Sequence, residues 1–253
     1  MIYYTEEGKG FPIILIHGFC ETNQIWSKLN PVLATKYRVI SIDLPGFGKS
    51  SELSRPFTLV EVAERVINFI QQDLKLTTCV VFGHSLGGYV ALAMADLKPE
   101  LFLGFGLVHS TALADSEERK ISRGKVIEFV EEYGVQPFVG SFIPPLFFNQ
   151  SHPAIGNMVE LAAQTKKQTL IGYTEAMRSR PDRTHVLKEF TKPILLLAGE
   201  RDTIIPAQTL EELAKVASNP TLVILHNAAH MGMLENVTET AEAIQMFLQR
   251  AGV

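Results

Sequence analysis

The chain has 253 residues, of which 46 % are hydrophobic and 20 % charged, and its formal net charge is −4. That balance excludes a disordered or collagen-like chain and a small disulfide scaffold, and the length is enough to bury a large core. The slight acidity lacks the basic excess that nucleic acid or an anionic membrane surface selects, so neither is expected as a partner.

In chain order, residues 1–9 are polar and acidic, with no apolar run, so no signal peptide is expected. Short apolar, β-branched runs then recur at residues 11–16, 37–42, 79–82, 102–108, 194–198 and 222–225. They are nearly continuous rather than alternating, the pattern of parallel strands covered on both faces. None approaches the ~20 residues needed to cross a bilayer. Residues 58–74 predict a helix: Thr58 and Glu61 form a capping box, and Val62, Val66, Phe69 and Ile70 share one face. Residues 85–97, 206–217 and 235–250 predict further helices, the second opened by Pro206. Strand–helix alternation of this kind predicts a doubly wound α/β fold with a mostly parallel sheet.

The alternation breaks between Thr111 and Glu189. Residues 117–133, 152–164 and 166–178 have helical period, residues 136–148 are rich in proline and aromatics, and no strand pattern occurs. Residues 1–110 and 190–253 are therefore expected to form an α/β core, with 111–189 as an inserted helical cap. Pro144-Pro145 argues against helix through that point. Cys79 lies in an apolar run and is expected in the core. Cys20 follows a glycine turn and is expected near the surface, and no disulfide is expected.

The strongest motif is Gly83-His84-Ser85-Leu86-Gly87, between a predicted strand and a predicted helix. A turn this tight strains the serine backbone and needs small flanking residues, and it projects the hydroxyl at the end of the strand. The helix behind it favours negative charge developing nearby. Two other motifs fail. Gly48-Lys49-Ser50 has Asp43 where a phosphate loop needs its first glycine, and Gly46-x-Gly48 has Ser51 where a dinucleotide fingerprint needs its third. No His, Cys or Glu cluster has zinc spacing. No metal or cofactor is expected.

Four further segments follow predicted strands: His17-Gly18-Phe19, Asp43 to Ser50, Gly199-Glu200-Arg201-Asp202 and Ala228-Ala229-His230. With the serine motif, in this order, they make the chain resemble the α/β-hydrolase superfamily over nearly its whole length. The resemblance implies an α/β-hydrolase fold, Ser85 as nucleophile, His230 as general base and Asp202 as the acid that orients it. It also implies that the backbone N–H groups of Phe19 and Leu86 stabilise the oxyanion. Of the other histidines, His84 cannot turn back onto its neighbour Ser85. His17 is expected in a structural hydrogen bond, His226 in packing or a loop contact, and His152 and His185 belong to the insertion. Phe19, His109, Phe138, Phe142 and Phe147 are expected to line the substrate pocket. A serine at position 85 argues against the aspartate-nucleophile dehalogenases and epoxide hydrolases. The expected activity is hydrolysis of a small-to-medium carboxylic ester or lactone with an apolar acyl or alcohol part. C–C bond hydrolysis, thioester hydrolysis, perhydrolysis, acyl transfer and slow-turnover ligand sensing remain open on the same scaffold. A cytoplasmic monomer or homodimer is expected.

Overall fold

The apolar runs become strands, and all but the last, at a half-buried sheet edge, are largely buried. Residues 1–253 are described by a computed structural model. Seven strands, β1 (Tyr4–Glu7), β2 (Pro12–Ile16), β3 (Arg38–Ile42), β4 (Cys79–His84), β5 (Phe102–Val108), β6 (Ile194–Gly199) and β7 (Pro220–Leu225), form one sheet in the order β1-β3-β2-β4-β5-β6-β7. β4 and β6 are buried at every residue. All pairings are parallel except β1 with β3.

β1 escapes the sequence pattern because it is an edge strand of polar residues, Tyr-Thr-Glu-Glu. Its register is held instead by Glu6, which accepts two hydrogen bonds of 2.9 Å from the Arg38 guanidinium of β3. A short, charged strand also blunts the sheet edge against pairing with other chains.

The helices are α1 (Asn30–Leu33), α2 (Leu59–Asn68), α3 (Leu86–Leu97), α4 (Glu117–Tyr133), α5 (Val135–Phe142), α6 (Ala154–Ala163), α7 (Lys167–Arg178), α8 (Thr184–Glu189), α9 (Ala207–Val216), α10 (Gly232–Glu235) and α11 (Val237–Arg250). None is long and apolar enough to cross a membrane. The predicted capping box opens α2: Thr58 accepts from the Glu61 N–H, and Glu61 accepts in return from the Thr58 N–H. A single π turn, Phe69–Asp73, carries that helix on towards the predicted end.

Five helices, α4 to α8, lie between β5 and β6 where no strand was expected. The proline-rich stretch is more helical than its composition suggests. Pro137 falls in the first turn of α5, where its missing N–H has no helical partner to lose. Pro144 and Pro145 sit in a short 3₁₀ turn, Pro144–Leu146, that ends the helical run. Both cysteines are free and buried. Cys20 is a correction: the turn after Gly18 points inwards and leaves it 1 % exposed. Burial pushes the Cys79 thiol up to about 12 and raises Cys20 well above its ordinary value, so neither thiol is a ready nucleophile.

From β2 the chain steps to β3 on one side and then to β4 on the other, so the strand order reverses there. Open α/β sheets leave a crevice at the carboxyl ends of strands flanking such a reversal. The loops that leave β2 and β4 carry Phe19 and Ser85.

Candidate active site

Ser85 sits between β4 and α3 with φ 49° and ψ −111°, a strained backbone for any residue with a side chain. Close packing enforces it. A Cβ on Gly83 would lie 2.2 Å from the Gly87 carbonyl oxygen, and one on Gly87 would lie 2.5 Å from the Ile16 carbonyl oxygen. The Ser85 N–H donates to the Val108 carbonyl at 3.0 Å, and the Ser85 carbonyl accepts from Ser110 Oγ at 2.7 Å. Ser110 thus fixes the turn from the end of β5, a role that nothing local in the sequence marks.

Asp202 follows β6, and His230 lies in the loop after β7. The two meet at 2.8 Å between Asp202 Oδ2 and His230 Nδ1. Asp202 Oδ1 also accepts the N–H groups of Ile204 and Ile205, at 2.8 and 2.9 Å. Burial opposes the Asp202 charge, but the His230 ring bonded to it outweighs that and holds its carboxyl well below the usual carboxylate range. A charged Asp202 accepts, so His230 Nδ1 is the protonated nitrogen and a neutral ring keeps Nε2 free to accept a proton. No hydrogen bond joins Ser85 Oγ to His230, but both residues line one cavity of about 200 Å³. Two larger clefts, of about 470 and 500 Å³, contain neither residue.

The histidines that compete with His230 have other partners. His84 Nδ1 lies 2.9 Å from Glu21 Oε2, and its Nε2 lies 2.9 Å from the His230 carbonyl oxygen. The carbonyl can only accept, and Glu21 Oε2 already accepts the Gly18 N–H at 2.6 Å. Both ring nitrogens therefore donate, which makes His84 an imidazolium beside a Glu21 carboxylate. Burial opposes both charges. Each group nevertheless favours the charge of the other, so Glu21 is lowered and His84 raised. His17 accepts the Leu44 N–H at Nε2 and donates from Nδ1 to the Gly18 carbonyl, the structural bonding expected of it. His226 is exposed.

The expected pocket lining is only partly right. Phe19, Phe138 and Phe142 line the cavity with Tyr89, Val126 and Met177. His109 does not: it is fully buried, 3.5 Å from Asp202 Oδ2, and neither ring nitrogen has a hydrogen-bond partner. It packs behind the Asp202–His230 pair, and burial lowers it to about 4, so it is neutral. Phe147 is also outside the lining, because it is buried and stacked on His152 at 5.1 Å between centroids. Sequence reasoning missed Tyr89, Arg119, Ser122, Arg123 and Ile204 in the lining. It also missed Glu235, whose carboxylate accepts the Ala229 N–H at 2.8 Å and the Phe148 N–H at 2.7 Å, joining the His230 loop to the insertion. The His230 N–H donates to the Leu146 carbonyl at 2.9 Å across the same boundary.

The Phe19 N–H has no protein acceptor, and the Leu86 N–H opens α3, where helical N–H groups lack partners. Both are unpartnered backbone donors beyond the carboxyl ends of β2 and β4.

Comparison with known proteins agrees with this architecture. The chain is 26 % identical over 246 residues to the dihydrolipoyllysine-residue acetyltransferase component of the acetoin cleaving system of Pseudomonas putida; the match covers 95 % of this chain but only 64 % of that protein. It is 28 % identical over 256 residues to the uncharacterized hydrolase YugF of Bacillus subtilis strain 168, covering 98 % of this chain and 93 % of that one. Among solved structures, a thermophilic esterase from Thermogutta terrifontis, studied with malate bound, superposes with a TM-score of 0.93 at 28 % identity, covering 100 % of this chain and 94 % of that one. The profile of the alpha/beta hydrolase family matches residues 13–243, and the chain belongs to that family.

Proposed function

We propose that the protein is a serine hydrolase of short carboxylic esters or lactones. Ser85 Oγ attacks the carbonyl carbon as its proton passes to His230 Nε2. Asp202 holds the ring in the required tautomer and balances the imidazolium that forms. The oxyanion rests on the N–H groups of Phe19 and Leu86. His230 then returns the proton to the leaving alkoxide, and the alcohol departs. Water attacks the acyl-enzyme with His230 again as base, which releases the acid and restores Ser85. Residues 111–189 act as the cap, bringing Val126, Phe138, Phe142 and Met177 over the pocket.

One observation carries this reading: the His230 ring that contacts Asp202 at 2.8 Å lines the same cavity as the strained Ser85. Hydrolase and esterase relatives of similar length support it. The small cavity favours small substrates. The test is turnover of p-nitrophenyl butyrate by the wild type and by Ser85→Ala. Wild-type turnover is expected to fall by about 10⁴-fold or more in the variant. Equal turnover in the two proteins overturns the reading, as does a fluorophosphonate probe that labels a residue other than Ser85.

A further inference from the structure

The lining of the Ser85 cavity includes two arginines beside its aromatic residues. Arg119, Ser122, Arg123 and Val126 recur at i, i+3, i+4 and i+7 on α4, so they share one face, and all four line the cavity. Guanidiniums outnumber carboxylates there. Asp115 is paired with two of them, Arg123 and Arg180, the latter at 2.7 Å. Arg180 lies over the ring of Tyr89, itself a lining residue, at 4.0 Å. Arg119 forms no ion pair. The one hydrogen bond of its side chain runs from Nη2 to the Ile204 carbonyl at 3.0 Å, which leaves the rest of its donor fork open. Arg119 is half-buried, so its open donors face the cavity without a protein partner, and its planar fork matches a carboxylate.

We propose that Arg119, assisted by Ser122 and Arg123, forms an anion subsite, and that the substrate is a short ester or lactone bearing a carboxylate at its far end. The proposal rests on the serine-hydrolase reading for the position of the scissile carbonyl. It gives the expected ester or lactone two ends: a scissile carbonyl at Ser85 and a carboxylate at α4. The cavity volume of about 200 Å³ equals that of about seven waters, which suits a half-ester of a dicarboxylic acid of about four to six carbons.

The experiment compares monomethyl glutarate with the monomethyl ester of its monoamide, a neutral substrate of nearly the same shape. Wild-type kcat/KM is expected to favour the charged half-ester by about tenfold or more, mainly through KM. Arg119→Met is expected to bring that ratio close to one, and Arg119→Lys to restore part of it. Lys120→Met, an equal loss of charge on a neighbouring residue outside the cavity lining, is expected to leave the ratio unchanged. No preference in the wild type, or equal loss of preference in Lys120→Met, overturns the subsite.

A second measurement needs no turnover. Calorimetry on Ser85→Ala protein is expected to show glutarate binding that Arg119→Met weakens by about fivefold or more. Glutarate binding that ignores Arg119, or inorganic phosphate binding more tightly than glutarate at Arg119, overturns the carboxylate assignment. Ser85-dependent turnover of neutral esters without charge preference would remove the subsite and leave the hydrolase reading standing. Glutarate binding through Arg119 without Ser85-dependent turnover would do the reverse.

Discussion

Ser85, Asp202 and His230 were legible as candidates because each sits just after an apolar strand in a motif of its own. The residues that support them were not, because their chemistry depends on partners far along the chain. Glu21 and His84 are 63 residues apart, yet they form a buried ion pair that holds the Gly18 N–H on one side and the His230 carbonyl on the other. The pair thereby joins the loop of Phe19 to the loop of His230. Breaking a buried pair leaves an uncompensated charge, so Glu21→Gln is expected to cost about 3 kcal/mol in urea unfolding, less if His84 sheds its proton. A cost below about 1 kcal/mol would mean that the pair carries no charge. His109 teaches the same lesson in reverse. It ends a strand beside the candidate site, as a lining residue would, but β5 and β6 turn it beneath Asp202 instead.

At the scale of elements, strand identity was readable wherever both faces are buried, and α4 was predicted over its full observed length. The polar, exposed β1 was not readable, because it owes its pairing to a neighbour rather than to apolar content of its own. The face of α4 that lines the cavity was equally hidden, since an Arg-x-x-Ser-Arg stripe reads as a solvated surface until another element is laid against it. The elbow glycines permit a sharper comparison. A methyl group on Gly87 meets the carbonyl oxygens of Ile16 and His17 at 2.5 and 2.6 Å, backbone that cannot move aside cheaply. Gly87→Ala is therefore expected to lose about 3 kcal/mol or more. Gly140, inside α5, has nothing within 4 Å of such a methyl. Gly140→Ala is expected to gain about 0.5–1 kcal/mol through helix propensity. Thermal melts of the two variants test the contrast, and a Gly87→Ala protein as stable as the wild type would contradict the packing argument.

The whole molecule has one continuous apolar cluster, which joins Val139, Ile143 and Phe147 of the insertion to the strands of the sheet. Its buried ionisable groups set the pH dependence of stability. His109 falls from an ordinary 6.5 to about 4 in the fold, so the unfolded chain binds the extra proton across that interval. Stability therefore rises with pH from about 4 to 6.5, by about 3 kcal/mol from this residue. Glu21, lowered from 4.5, contributes above that value and loses its contribution as pH falls through its lowered folded value. His84 is raised above 6.5, so its contribution is complete below 6.5 and fades as pH climbs through its folded value. The urea midpoint is thus expected to peak near pH 6.5. Glu21→Gln is expected to flatten the decline on the alkaline side. A midpoint still rising from pH 6.5 to 8 would contradict the His84 assignment.

The sequence by itself determined six of the seven strands, most of the helices, the inserted helical segment and the three candidate reacting side chains. Those features are written locally, in apolar runs, capping residues and a strand–turn–helix motif whose sterics need only neighbouring residues. Only the tertiary structure decided which histidine is a lone neutral core residue and which is an imidazolium. It also decided which phenylalanines line the cavity of Ser85 and that two arginines line it with them. The physical reason is that burial and electrostatic pairing are properties of contacts, and these contacts join residues that the chain keeps far apart.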